Sequence, residues 1–390
     1  MNICFKGIDI KNRNFLLLCF IGLFQGLIFF VPIQTLFLNS RGVSLDNIYN
    51  LESILLISIM VFEIPWGWVA DKTSYKTTLI IGYGISALGF LIMYISYGFE
   101  AFAIMMLIRG IAISGRSGVD TALLYHSIGE NDGEKAYGIW QSFYIVGIML
   151  SSIASGFISK FSIDLTVLIT FFSYFVAFIL CFFLKDVKRD AYSNKKSSLK
   201  TAFKDVINLK EMIIFVLAIT LFIEVCTNIV VYLNQLQYLK SGIAVEYFGI
   251  ISAAAQVLGF FSYKVNVLTR KFGKRRVILA FIFLLGLSLS ILISTSNWLL
   301  SIVFIIVVET ISYMIYPIIT DIENKWMKKD TKNRATILSI YSVLGSITSV
   351  IVNFIISRFS NNNLTTSLIV CLIITGFSFI LIFNNKILKK

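Results

Sequence analysis

Three ionisable side chains, Arg109, Glu224 and Glu309, sit deep inside long apolar runs. A charge within a membrane span is costly and marks an ion or substrate pathway by default. The three lie about 9, 13 and 11 residues into their runs, which at about 1.5 Å per residue are comparable depths. A carboxyl group stripped of water is expensive to keep charged, so it can load and release a proton. Glu309 or Glu224 is therefore expected to carry a coupling proton. Arg109 is expected to bind an anionic group or to hold one glutamate charged. The alternative is an arginine–glutamate pair that only joins helices, since intramembrane charges usually pair. Helical spacing adds neighbours to each charge. Glu224, Asn228 and Gln235 share one face, as do Glu309, Tyr313, Tyr316 and Thr320. Arg109, Arg116 and Asp120 share another, with Arg116 and Asp120 at pairing distance on a continuous helix. Gln25 and Gln34 in the first run, and Trp140 and Gln141 in the fifth, complete a set of amide and aromatic groups suited to a moderately amphipathic organic solute.

Other residues read more plainly. Glu63 precedes Pro65 and suits a helix–helix hydrogen bond, Lys264 suits snorkelling to an interface, and His126, the only histidine, suits a solvated loop edge. Gly147, Ser151 and Ser155 form a small-residue stripe of the kind that packs helices. Pro32, Pro65 and Pro317 fall inside apolar runs and predict kinks. No nucleophile–base pair, metal-ligand spacing or phosphate-binding glycine loop occurs, so neither an enzyme nor a cofactor is expected. The five cysteines have no paired spacing and read as free, buried thiols.

The elements that must hold these groups follow from composition. Of 390 residues, 57% are hydrophobic and 14% charged, far from the roughly 25% charge of soluble chains. A spanning helix needs about 20 apolar residues, and twelve segments qualify: 14–37, 48–70, 77–97, 101–124, 137–160, 165–185, 211–236, 245–268, 276–294, 298–322, 335–357 and 364–385. Helices are expected because lipid offers no partner for backbone groups. The first run is too long for a signal peptide and has no small-residue cleavage site after it. The net charge of +13 lies between the runs, not in a basic tail, which argues against nucleic acid as partner. Lysine and arginine crowd alternate loops, so both termini and the polar stretch 186–210 are expected on the cytoplasmic side. That stretch divides the chain into bundles at 1–185 and 211–390. Asp71 and Arg270 open matching basic loops, and Lys135 and Arg334 open matching helices, with a separation of 199 residues in both pairs. The reading is an all-α polytopic membrane protein of twelve transmembrane helices in two six-helix repeats.

One segment carries a family resemblance. Glu63-Ile-Pro-Trp-Gly67-Trp-Val-Ala-Asp71-Lys72, leading to Lys76, resembles the G-x-x-x-D-[RK]-x-G-[RK]-[RK] signature of the major facilitator superfamily, with Ser74 and Tyr75 at the positions of the glycine and the next basic residue. Arg109-Gly110-Ile111, Asp120 to Tyr125 and Arg334 to Ser339 resemble the fourth and eleventh helices of its bacterial members. The resemblance implies alternating access around a cavity lined by helices 1, 4, 7 and 10. It also implies a gating role for Gly67, Asp71, Lys72, Lys76, Arg116 and Asp120, with Asp71 meeting the start of helix 11. The expected protein is a secondary active transporter in the plasma membrane, monomeric, in contact with lipid, and coupled to protons. Export of a small organic or antimicrobial compound is favoured, although the fifth helix lacks the Gly-Pro pair of drug antiporters. Uptake of a nutrient by proton symport and a non-transporting receptor of the same fold are the alternatives.

Overall fold

The computed structural model describes residues 12–117, 119–128, 133–186, 210–259, 265–326 and 334–385. All regular structure among them is helical. The helices are α1 Arg13–Gly26, α2 Gln34–Ser40, α3 Leu45–Lys72, α4 Tyr75–Ile95, α5 Gly98–Arg116, α6 Val119–Ile128, α7 Gly133–Phe161 and α8 Ile163–Phe182. Then come α9 Lys210–Asn228, α10 Asn234–Lys240, α11 Phe248–Gly259, α12 Val265–Phe272, α13 Lys274–Ser294, α14 Trp298–Trp326, α15 Arg334–Phe359 and α16 Leu364–Asn384. Eleven helical stretches among the described residues are long and apolar enough to cross a bilayer. The expected eighth span, 245–268, includes residues 260–264, which lie outside the described residues; on either side of them stand the apolar helical stretch Val245–Leu258 and α12, with Arg270 and Lys271 in its last turn. Lys264 and the polar stretch 187–209 lie outside the described residues.

Two expected continuous helices are broken, and a third changes its winding. The first stops at Gly26 and resumes through a 3₁₀ turn at Val31–Ile33. Pro32 lies in that turn and has no N–H to continue a helix. The backbone freed by the break is satisfied from neighbouring helices: Thr170 Oγ1 accepts from Phe29 N at 3.0 Å, and Ser151 Oγ donates to Gly26 O at 3.3 Å. The fourth stops at Arg116, where Ser117 takes ψ 119°, and α6 starts afresh at Val119. The seventh passes through a π turn at Ile229–Leu233 between α9 and α10.

The breaks repeat. Helices α2 and α10 begin 200 residues apart, and each ends at a glycine with positive φ, Gly42 at 83° and Gly242 at 74°. In both, the residue after that glycine donates back into the helix, Val43 N to Leu38 O at 3.0 Å and Ile243 N to Tyr238 O at 2.9 Å. Helices α4 and α13 begin 199 residues apart. Ser74 caps α4 by accepting from Thr77 N at 3.1 Å, whereas Gly273, at φ 83°, precedes α13.

The described residues gather into two compact units, 12–33, 37–43 and 54–186 in the first, and 34–36, 44–53 and 210–385 in the second. In the first unit α1 and α7 interlock. A Cβ on Gly26 would stand 2.1 Å from Tyr144 O, and one on Gly147 would stand 2.3 Å from Leu23 O. The small-residue stripe thus brings two backbones together. Arg41, buried, pairs with Asp164 at 2.8 Å and lies 4.2 Å over the Tyr97 ring, which ties the loops after α2 and α4 to the start of α8. Four cysteines, Cys19, Cys181, Cys226 and Cys371, are free and buried. Gly26→Ala or Gly147→Ala should cost about 1–3 kcal/mol by forcing backbones apart. Gly138→Ala, with open space around its Cβ, should leave the melting temperature unchanged. A thermal unfolding series on the three purified variants checks this.

Candidate functional site

In the first unit the polar groups are built onto a column of rings. Phe30, Phe90, Tyr174 and Tyr83 follow one another with centroid separations of 5.8, 4.7 and 6.4 Å. Arg109 of α5 lies over Phe30 and Phe90 at 5.7 and 5.5 Å. Two turns on, Arg116 lies over Tyr83 and Tyr174 at 4.8 and 5.4 Å. A guanidinium is weakly hydrated and accepts an aromatic face as partner, so it can be buried where a carboxylate could not. Gly82 of α4 makes room for it: a Cβ there would meet Arg116 Cγ at 2.6 Å. Arg116 Nε donates to Ala112 O at 3.3 Å, the Tyr83 hydroxyl donates to Gln25 Oε1 at 2.7 Å, and Tyr174 Oη donates to Gln25 O at 3.2 Å. Arg116 and Asp120 remain in electrostatic reach, but across a helix break instead of along one turn. Trp140 packs its indole on Gly22, with Nε1 2.9 Å from the position of a Cβ, and is 8% exposed. Gln141 is half-buried on α7.

In the second unit a carboxyl–amide cluster forms around Glu224 of α9. Asn353 Nδ2 of α15 donates to Glu224 Oε1 at 2.8 Å. Asn228 Nδ2 donates to Glu224 O at 2.9 Å, to Asn353 Oδ1 at 2.9 Å and, more weakly, toward Glu224 Oε1 at 3.4 Å. Ser349, one turn before Asn353, brings a hydroxyl into interaction range of the carboxylate. All four residues are buried. Tyr232 of the π turn donates to Glu52 Oε2, and Glu52 is in electrostatic reach of Glu224.

Glu309 of α14 is set differently. It is buried, and its carboxylate accepts one long bond, from Tyr313 Oη at 3.4 Å. Tyr313 and Tyr316 are exposed on the same helix. Neither Glu224 nor Glu309 makes an ion pair among the described residues. Gln235 was expected beside Glu224, but it serves the backbone. Its Oε1 accepts from Thr35 N at 2.8 Å and Leu36 N at 3.3 Å, and so satisfies the first turn of α2. Gln34 is buried at the start of that turn.

Gly67, Asp71 and Lys72 close α3, but their side chains, like those of His126, Thr320 and 334–339, lie outside the described part. Lys76 is half-buried in the first turn of α4. Asn353, Ser349, Glu52 and Tyr232 were missed by the sequence reading. The signal for Asn353 was present, a lone carboxamide midway along an apolar run.

A profile of the Major Facilitator Superfamily matches residues 15–336, and the chain belongs to that family. It is therefore a multi-pass membrane transporter and not an enzyme. The nucleoside transporter NupG, crystallised as a point mutant, shares the fold at TM-score 0.80 with 17% identity, over 97% of this chain and 100% of that one. A D-xylose–proton symporter matches at TM-score 0.73 with 11% identity, over 96% of this chain and 97% of that one. A bacterial homolog of the human lysosomal transporter Spinster, inward-facing and unoccupied, matches at TM-score 0.65 with 13% identity, over 96% of each chain. No curated protein sequence matches the chain.

Removing one partner from the carboxyl–amide cluster leaves buried polar atoms unpaired, at about 1–3 kcal/mol. Asn353→Leu should therefore lower the melting temperature. Glu224→Leu combined with Asn353→Leu should cost less than the sum of the two single changes. A double-mutant cycle by thermal unfolding reads both.

Proposed function

We propose that this chain is a proton-coupled transporter working by alternating access, that it moves a small polar organic solute inward with the proton, and that Glu309 carries that proton. One observation supports the proton assignment above the others. Glu309 is a buried carboxyl with a single long hydrogen bond and no ion pair among the described residues, beside a face bearing the exposed rings of Tyr313 and Tyr316. A carboxyl group that lacks donors and countercharge is costly to leave ionised and takes up a proton instead. The adjacent exposed tyrosines give a substrate an apolar ring with a hydroxyl at its edge.

Uptake is preferred to the export expected from the sequence. The structures sharing the fold include a nucleoside transporter and a sugar–proton symporter. The polar groups on the first, fourth, seventh and tenth spans are amides, tyrosines and single charges, chemistry suited to hydroxyl-bearing solutes. The substrate class proposed is accordingly a nucleoside or a small sugar.

Proteoliposomes holding a pH dye test this. Addition of nucleosides or pentoses outside should acidify the lumen, as symport requires; alkalinisation would mean antiport and overturn the direction. Glu309→Gln should abolish uphill accumulation while keeping downhill exchange. Full uphill transport by that variant would overturn the proton assignment.

A further inference from the structure

We propose that the turn joining α12 to α13 is a docking site for the headgroup of an anionic phospholipid of the surrounding bilayer. The starting point is a concentration of charge. Residues 265–276 hold Arg270, Lys271, Lys274, Arg275 and Arg276 and no acidic residue, and the nearest carboxylates along the chain are Glu246 and Glu309. Arg270, Lys271, Arg275 and Arg276 make no ion pair among the described residues. Arg275 is spent on fixing the turn: its Nη2 donates to Phe383 O at 2.5 Å, in the last turn of α16, and its guanidinium lies 5.3 Å over the Phe383 ring. Arg270, Lys271 and Arg276 are exposed. Gly273, at φ 83°, makes the whole connection between the two helices, so the cations on either side of it stay together.

A multi-pass protein carries basic loops on one side simply to set its orientation, and the internal repeat measures how much charge that accounts for. The matching loop of the first repeat, Asp71 to Thr77, stands 199 residues earlier and holds one acidic and two basic residues, a net +1. Arg270 to Arg276 holds five basic residues, a net +5. Both loops lead into corresponding spans, α4 and α13. A net +1 serves orientation in the first repeat, so the larger charge of the second has another cause. Three of its cations also occupy the first turn of α13, where the helix dipole disfavours them. A negative group beside the turn relieves both repulsions.

Position and apolar exposure point to a lipid and not to a soluble anion. Lys274–Ser294 is one of the stretches able to cross a bilayer, so its first-turn cations stand where the span enters the membrane, on the side expected to be cytoplasmic. Beside them Val267, Leu268 and Phe272 of α12 are exposed, Val267 at 65%. Leu268 and Phe272, four residues apart, share a face, and Lys271 Nζ lies 5.2 Å from the centre of the Phe272 ring. A soluble anion would leave these side chains in water. A phospholipid covers them with its acyl chains while its phosphate meets the cations. Clusters of about four to eight lysines and arginines next to a span bind anionic lipid in this way. A headgroup with its own ammonium group neutralises its phosphate internally, so a net negative one is preferred.

The test is native mass spectrometry of the purified full-length protein titrated with phosphatidylglycerol or phosphatidylcholine. Wild type should retain phosphatidylglycerol in preference, and the preference should fall as salt rises. Each exposed cation removed should weaken retention about 5-fold, so Arg270→Gln, Lys271→Gln and Arg276→Gln combined should weaken it about 100-fold. Arg270→Lys with Arg276→Lys keeps the charge and should bind as wild type does. Lys195→Gln, Lys196→Gln and Lys200→Gln remove the same charge from the polar stretch 186–210 and should leave retention unchanged. Each variant is first shown to be monodisperse. If the first triple variant fails to fold, Lys271→Gln with Arg276→Gln replaces it, with retention about 25-fold weaker. Glycerol phosphate, the headgroup without acyl chains, should not displace the lipid. Displacement by it, equal retention of the two lipids by wild type, or equal loss in the two triple variants overturns the proposal.

Discussion

Inside a bilayer no water rescues an unpaired polar group, and this constraint accounts for most of the side-chain chemistry in the molecule. At the break after α1 and at the start of α2, a side chain from another helix takes over the freed backbone. Thr170 serves the break after α1, and Gln235 serves the first turn of α2. Asn228, at the last position before the π turn, reaches back to Glu224 O. The amides that look like a substrate-binding face in the sequence are therefore partly spent on backbone. The same limit applies to the buried charges.

The two units solve that problem with opposite chemistry on a repeated backbone. The first buries guanidinium groups against rings, and Arg109 and Arg116 share a column of four aromatic side chains. The second buries carboxyl groups among amides and hydroxyls. The difference follows from the charges themselves. A guanidinium has a planar face that an aromatic quadrupole attracts, while a carboxylate needs N–H or O–H donors pointed at it. Duplicated helices with matching start positions and matching glycine turns thus hold different residues at their hearts.

Much of the fold is legible in the sequence because hydrophobic length and loop charge are one-dimensional signals. The spans, their helical character and the repeat spacing could all be read from Asp71, Arg270, Lys135 and Arg334 and the runs between them. The breaks were not legible. Pro32 marks one of them, but nothing in the run from Lys210 to Lys240 announces a π turn, because a π turn needs no special residue. The candidate site was legible as separate faces and not as contacts. Spacing alone put Glu224 and Asn228 together, since both lie on one helix. Asn353 is 125 residues from Asn228 in sequence, and only the packing of α15 on α9 brings it to Glu224. Gln235 was misjudged for the reverse reason: helical periodicity was carried straight through a turn that shifts it.

The four cysteines among the described residues have a practical consequence. Cys19, Cys181, Cys226 and Cys371 are each sealed in a helix interface, where a water-borne maleimide cannot reach them. Once Cys4 is exchanged for serine, a single cysteine introduced at Gly138 or Lys240, both exposed, would report against a silent background. The wild-type interior would need no rebuilding. Spectroscopic labels could then follow the working cycle in a protein whose packing has been left as it is.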